Sequence, residues 1–545
     1  NELSSIEVLW PNGALSIIER PEINKRHFLH QKDAVKEVIL DFPFVNKKRD
    51  LPYKEVSAEY NIDYTHQEKN VQDFFKQRLL PHKLSQNGPC LAVGDINGDG
   101  TEDFIVGSSS VYSPVVYFQN SQSTFDSKNL FTAEEDKRYE VESMTLFDAD
   151  QDGDLDLYLV SGGNQFEAGS ELYNDRLLIN DGYGNFVNDL KRIPNLNSNG
   201  CVVRPIDYDS DGDIDLFIGG HNKPGAFPLA DKSYLLNNNN GNFEDFTNAV
   251  LPDLDQFGLV TDAQWADLNK DRREDLILVG EYSPVAIFLN LNSGFQRLSS
   301  KTLDEAMGLW RCIEVVDFDD DGDLDLLLGN LGKNNMLSVS PETPLIISTR
   351  DLDKNGSVDP LMFNSQQNKN GEWDMFPVQF WDNLTQQSPL FRKEFNSYHA
   401  FSKANMNYYQ EKEYLIKDSL LSAKHDTSKW LENLGSNTFK LNTLPDPLQL
   451  GPINDFLVIE TAQDQSVFVI GNDFGGPPFE GNFDAFQGAI INTNTMGNKK
   501  VLEAQDSGFH VFGDAREISS IRMLNGKTLI LVTQNQSRLL AFEKK

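Results

Sequence analysis

An all-β architecture, a propeller of small antiparallel sheets, follows from three features of this 545-residue chain. A nine-residue acidic loop is written six times, strand-length apolar runs flank it, and the intervals between copies suit one small sheet each. The copies are DINGDGTED, DADQDGDLD, DYDSDGDID, DLNKDRRED, DFDDDGDLD and DLDKNGSVD, beginning at residues 95, 148, 207, 267, 317 and 351. The intervals are 53, 59, 60, 50 and 34 residues, too irregular for a tight solenoid but matched to a four-stranded sheet with variable loops.

The elements around each loop read as strands. LAVG and CVVRPI lead into a loop, while DFIVG, DLYLV, DLFIGG, DLILVG and DLLLG leave one, so each loop is the turn of a hairpin. LLINDGYGNFV (residues 177–187) and LLNNNNGNF (residues 235–243) supply a second strand pair around Gly/Asn turns. Two further hairpins, FLVIETAQDQSVFVIG (residues 456–471) and ISSIRMLNGKTLILV (residues 518–532), lack the acidic loop. That makes eight blades, or seven if the sixth loop, only 34 residues behind the fifth, belongs to a neighbouring blade. The last repeat lacks a fourth strand, and YKEVSAE (residues 53–59) resembles one, so the N-terminal strand is expected to close the ring.

The expected organisation is a short β segment over residues 1–45, a closing strand, linker and capping helix over 46–88, and the propeller over 89–545 with an insertion at about 366–426. Residues 71–80 (VQDFFKQRLL) read as the capping helix. Within the insertion, residues 384–420 read as helical, and Phe391, Phe395, Tyr398 and Phe401 follow helical spacing, as a face packed on the propeller or as a partner platform.

Carboxylates at every second position around a sharp turn bring their oxygens to one point, where a hard divalent cation belongs. Calcium takes six to eight oxygens, and acids at positions one, three and five with Gly at six and a carbonyl at seven suit it. The candidate ligands are Asp95, Asn97, Asp99, Thr101 and Asp103; Asp148, Asp150, Asp152, Asp154 and Asp156; and Asp207, Asp209, Asp211, Asp213 and Asp215. Loops four to six add Asp267, Asn269, Asp271 and Asp275; Asp317, Asp319, Asp321, Asp323 and Asp325; and Asp351, Asp353, Asn355, Ser357 and Asp359. The last ligand falls at position nine, and the loops flank strands, so the pattern is not an EF-hand. Loop four departs most, because Arg272 holds the glycine position, where a side chain costs about 1 kcal/mol in left-handed backbone.

Composition narrows the function. A formal charge of -35 opposes a general nucleic-acid or anionic-membrane role, and six bound Ca²⁺ would reduce it to -23. No run approaches the roughly 18 apolar residues of a membrane span, and Asn1, Glu2, Leu3 and Ser4 do not open a signal peptide. Cys90, Cys201 and Cys312 precede loops on three different blades and are expected free and inert. His66, between Asp63 and Glu68, reads as ordinary surface, and no catalytic residues are assigned, because no HExxH, GxSxG or phosphate loop is present.

At these loops the sequence resembles the FG-GAP/VCBS repeat family, the calcium-loop propellers also seen in integrin α-chains. IEVLWPNG (residues 6–13) resembles the end of an ASPIC/UnbV segment, and EYNIDYTHQE, GPCLAVGDINGDG and GLWRCIEVVDFDDDGDLDLLLGNLG resemble the propeller that follows it in large bacterial proteins. The resemblance implies an exported protein, often a lipoprotein at the outer-membrane surface of Bacteroidetes, sometimes tied to nutrient uptake, with a missing N-terminal half. It also implies structural calcium on the face away from ligand-binding loops. The functional expectation is a non-enzymatic, calcium-stabilised surface binding module with a protein partner in an outer-membrane complex or a surface glycan. The alternatives are a carbohydrate-active lyase or hydrolase with its site in the funnel, and a free adhesin.

Overall fold

The computed structural model describes residues 4–10, 14–34, 36–37, 50–291, 293–368, 370–461, 464–494 and 499–545. The chain divides into two compact units, residues 1–51 and 52–545. In the first, Ser5–Leu9, Ala14–Glu19 and Lys36–Glu37 form a three-stranded antiparallel sheet. Residues 1–3, 11–13, 35 and 38–45 of the expected N-terminal segment, and 46–49 of the expected linker, lie outside the described residues.

The second unit is a β-propeller. Its inner strands are Leu91–Gly94, Val141–Phe147, Gly200–Ile206, Leu259–Ala266, Cys312–Val316, Ile453–Glu460 and Ala515–Arg522. Each packs on the next and the seventh packs back on the first. From every inner strand an antiparallel sheet of four strands runs outward, and in the fourth blade Gly308–Leu309 adds a fifth strand beside the second. Apolar alternation explains the stacking, since each blade offers residues to both faces and the buried side chains gather between blades. Phe104, Tyr117, Leu529 and Leu531 fill the junction of blades seven and one, and Leu276, Leu278, Phe217 and Leu235 that of three and four.

Seven blades close the ring, the lower of the two counts expected from the hairpins. Blade five is the reason. Its second strand, Asp325–Gly329, pairs with Lys429–Asn433, and the intervening chain forms a separate sheet ordered Trp373–Pro377, Met362–Gln367, Leu345–Ser348, Leu420–Ala423. The sixth acidic loop is a turn of this inserted sheet. In blade seven, Tyr53–Glu55 adds to Leu540–Lys544 with Glu55 opposite Phe542, so strands from near both ends of this unit share one sheet.

Two helical expectations are corrected. In place of one helix over 384–420 stand Trp381–Gln387, Leu390–Glu394, Tyr398–Phe401 and Met406–Glu411. Pro389 forces Ser388 out of helical backbone, and the side chains of Ser397 and Asn405 each cap a fresh start by accepting from Ala400 N–H and Tyr408 N–H. The run over 71–80 holds one turn, Asp73–Lys76. There the Asp73 carboxylate is buried and accepts from the Leu84 and Ser85 amides and the Ser85 hydroxyl, while Gln77, extended, donates to the Phe227 and Val358 carbonyls.

Candidate metal centres

Each acidic loop joins the inner strand of its sheet to the next strand outward, except the sixth, which serves the inserted sheet. The position-one carboxylate organises the turn by accepting backbone N–H groups from positions five and six, or in loop two from position six alone. Asp207 accepts from Asp211 and Gly212 at 3.1 and 3.2 Å, and Asp317 accepts from Asp321 and Gly322 at 3.1 and 3.0 Å. The turn needs left-handed backbone at position six, where Gly212 has φ 98° and Gly322 φ 89°. Loop four makes the same bonds, to Asp271 at 2.9 Å and Arg272 at 2.7 Å, with Arg272 held at φ 71°. The geometry therefore survives the arginine, at the strain expected of a side chain there.

Position nine ties each loop to its sheet. Asp103, Asp156, Asp215, Asp275, Asp325 and Asp359 are fully buried. Asp215 accepts from Tyr208 N–H in the loop and from Asn238 N–H on the third strand, and Asp325 likewise accepts from Phe318 and Asn433. Burial pushes all six carboxyls up despite these bonds, to about 7, 6, 8, 7, 7 and 6 in chain order.

Four loops bring three carboxylates together. In the sets Asp148, Asp150, Asp156; Asp207, Asp209, Asp215; Asp317, Asp319, Asp325; and Asp351, Asp353, Asp359, one oxygen from each residue lies within 4.8 Å of the others. These are positions one, three and nine. In loops one and four the third position is an amide, Asn97 or Asn269, which adds an oxygen but no charge. The position-five acids Asp99, Asp152, Asp211, Asp271 and Asp321 turn to their own loops and accept from the amide at position seven.

A cation fits this donor set. Buried carboxylate oxygens without a hydrogen-bond partner occur in loop two (Oδ1 of Asp148 and of Asp150), in loop four (Oδ2 of Asp275) and in loop five (Oδ1 of Asp319). Leaving such oxygens unpaired is expensive, and an ion bound between them would satisfy them together. Neighbouring loops also touch. Gln151 of loop two donates to Gly212 O and Asp213 of loop three, and Lys270 of loop four pairs with Asp323 of loop five.

The residue carrying this register round the ring was not singled out from sequence. Asn238 donates its amide to Ile214 O of its own loop at 3.0 Å and to Ala149 O of the preceding blade's loop at 2.9 Å. Asn180 and Asn433 repeat the arrangement, reaching Ile96 O and Leu268 O of the preceding blades. Gln119 does the same across the closure, donating to Glu102 O and to Arg522 O of blade seven. The available signal was an Asn or Gln near the end of the third strand in the blades that carry acidic loops.

At the opposite ends of the inner strands lies a polar funnel, with Glu142, Cys201, Thr261, Arg311, Asn454 and Arg516 on its wall. Arg204 pairs with Asp262 at 2.7 Å, Arg311 with Asp473 at 3.0 Å and Arg516 with Asp514 at 2.6 Å. Burial pushes the Glu142 and Glu314 carboxyls up to about 8. The three cysteines are free, and burial raises each thiol, which keeps them protonated and unreactive. His66 is not surface: it is 2% exposed and lies between the Tyr64 hydroxyl and Glu68, each at 2.9 Å.

No curated protein matches the chain. Among solved structures it is similar to a lectin of Agrocybe aegerita described for specific recognition of non-reducing terminal N-acetylglucosamine, at 12% identity and TM-score 0.40 over 83% of this chain and 87% of that one. It is also similar to Sqt1 of Saccharomyces cerevisiae, at 10% identity and TM-score 0.37 over 89% of this chain and all of that one. The model of the FG-GAP-like repeat matches residues 95–159, 207–278 and 267–328, so the chain carries FG-GAP-like repeats through the blades that hold loops one to five.

Proposed function

We propose that the chain is a calcium-stabilised propeller that acts as a non-catalytic binding module, exported to a bacterial surface and engaged there with a protein or glycan partner. The observation that carries the calcium reading is the convergence of three carboxylates in loops two, three, five and six, with unpaired buried oxygens among them. An all-oxygen donor set favours a hard cation, and a loop that supplies many protein oxygens suits calcium better than magnesium, which keeps several waters in a tighter octahedral shell. In each loop, positions one, three and nine would hold the ion, and it would supply the positive charge these carboxylates lack.

The role of the ion is structural in this reading, because the position-nine carboxylate already joins loop, second strand and third strand. Each site bound at 100 times its Kd adds about 2.7 kcal/mol to folding stability. Chelation is expected to lower the melting temperature sharply, with recovery on adding Ca²⁺ and little on adding Mg²⁺. Unchanged melting after verified metal removal overturns the calcium reading. The partner is sought by native co-purification, and turnover on a glycan panel would replace binding with catalysis. Among the described residues no helix is long and apolar enough to cross a membrane.

A further inference from the structure

Between the inserted sheet and blades four to six lies a cavity of about 380 Å³ that the metal loops do not use. We propose that it binds a small amphiphile, an aliphatic or aromatic body carrying a protonated amine, with the amine docked on Glu281. The volume is within the range of small-molecule sites, which pair apolar walls with a few convergent polar groups. The wall is apolar and deep, with Tyr282, Leu345 and Met362 each at most 5% exposed. Its mouth is apolar and open: Met336, Phe380 and Phe479 are 72%, 50% and 41% exposed, and the two rings meet at 4.6 Å between centroids.

The floor decides the head group. It holds His82, Glu281, Arg311 and Asp473, with Glu480 also on the lining. Each cationic group lies against an acid, although His82 Nε2 meets its acid as an ion pair without hydrogen-bond geometry. His82 spends Nδ1 on Lys83 O, and its Nε2 lies 2.7 Å from one oxygen of Glu281. Arg311 spends Nε on Asn454 and Nη2 on Asp473. The second oxygen of Glu281 is different, because Glu281 is 7% exposed and its Oε2 is buried with no hydrogen-bond partner.

His82 Nε2 is held by charge to the first oxygen, so the second, Oε2, is the acceptor left open, and an acceptor in that position calls for a donor. Three acids against two bases on the lining favour a positive head over a carboxylate. Glu281 also stays ionised, since His82, His221 and Arg311 hold its carboxyl down at about 2. A sugar would satisfy the acceptor but would leave the aliphatic wall of Leu345, Met362 and Val378 against hydroxyl groups, which is unfavourable. This inference goes beyond the calcium reading and does not depend on it.

The test is titration calorimetry of phenethylamine into the full chain in Ca²⁺ buffer at neutral pH, with 3-phenylpropionate and 2-phenylethanol as isosteric comparators. Saturable binding of the amine at about 1 mM or tighter is expected, with the carboxylate weaker by about tenfold or more. Glu281→Gln is expected to weaken the amine by a similar factor and leave the alcohol nearly unchanged. Because Glu281 also holds His82, a folding defect there is bypassed with Leu337→Trp, which fills the cavity without touching the ion pair and is expected to abolish binding. Absence of amine binding, equal binding of amine and carboxylate, or wild-type affinity in a folded Leu337→Trp protein overturns the proposal.

Discussion

Replacing Asn238 by Ala tests the latch between acidic loops most directly. The side chain is 1% exposed and makes three bonds: to Ala149 O at 2.9 Å, to Ile214 O at 3.0 Å, and from Gly241 N–H at 2.8 Å. Alanine removes all three and strands two carbonyls and one amide. A neutral hydrogen bond contributes about 1 kcal/mol net, and a buried group left without a partner costs about 1 to 3 kcal/mol. With water reaching part of the gap, a loss of about 3 to 5 kcal/mol is expected. Asn239→Ala is the internal control, because Asn239 is exposed and a surface change stays within about 0.5 kcal/mol. Equilibrium urea unfolding of both variants, in saturating Ca²⁺ and in chelator, measures the gap. A latch of backbone carbonyls predicts that the gap persists in chelator, since Asn238 is not among the candidate ligands. A difference below about 1 kcal/mol between the variants, or one that vanishes without metal, refutes the reasoning.

Arg272→Gly should relieve the strain at φ 71° and raise loop-four calcium affinity, whereas Asp319→Ala should damage loop five, whose Asp319 Oδ1 stands unpaired; calorimetric titration compares them, and no gain in loop four denies the strain. The His82–Glu281 pair, faced by His221, Arg311 and Asp473, gives a pH signature. His82 is raised to about 9 and Glu281 lowered to about 2, so the first contribution is complete below about 6.5 and lost toward 9, and the second is complete above about 4.5 and lost toward 2. The stability gap between wild type and His82→Ala should therefore be widest between about pH 4.5 and 6.5, and a gap constant from pH 4 to 9 in urea midpoints would contradict it. Gln119→Ala breaks bonds to Arg522 O and from Leu524 N–H across the closure, so hydrogen exchange should rise in blades one and seven before the others; uniform protection would place the closing interaction elsewhere.

The loops were legible because their information is local. Nine consecutive residues determine the turn, so acids at alternate positions and Gly at six predict both the carboxylate convergence and the strain at Arg272. Blade seven was legible for another reason: the last hairpin lacks a fourth strand, and an open edge needs a partner, which Tyr53–Glu55 supplies. The insertion was not legible. Nothing in DLLLG says that its next neighbour lies about a hundred residues on at Lys429–Asn433, and the sixth acidic loop, taken locally, is indistinguishable from a blade's own.

The aromatic residues of the insertion show what that costs a functional reading. Of the four residues with helical spacing, Phe391 and Phe395 are at most 2% exposed and pack with Leu361 and Phe363, and Phe401 packs against the same cluster, which leaves Tyr398 as the exposed one. One face of the inserted sheet packs on Leu259 and Tyr282 of blade four through Leu345, Ile347, Met362 and Ala423, but the other has no blade to cover it, so it needs a core of its own, and the short capped helices supply one. The side chains left over mark where something else can bind. Phe380 and Met336, in the insertion, meet Phe479 from the segment after blade six's second strand, over a floor formed by His82 and Glu281. Eight separate stretches of chain contribute to that cavity and none carries a motif. The site with the strongest sequence signature therefore serves the scaffold in our reading, and the site with no signature offers the ligand a place.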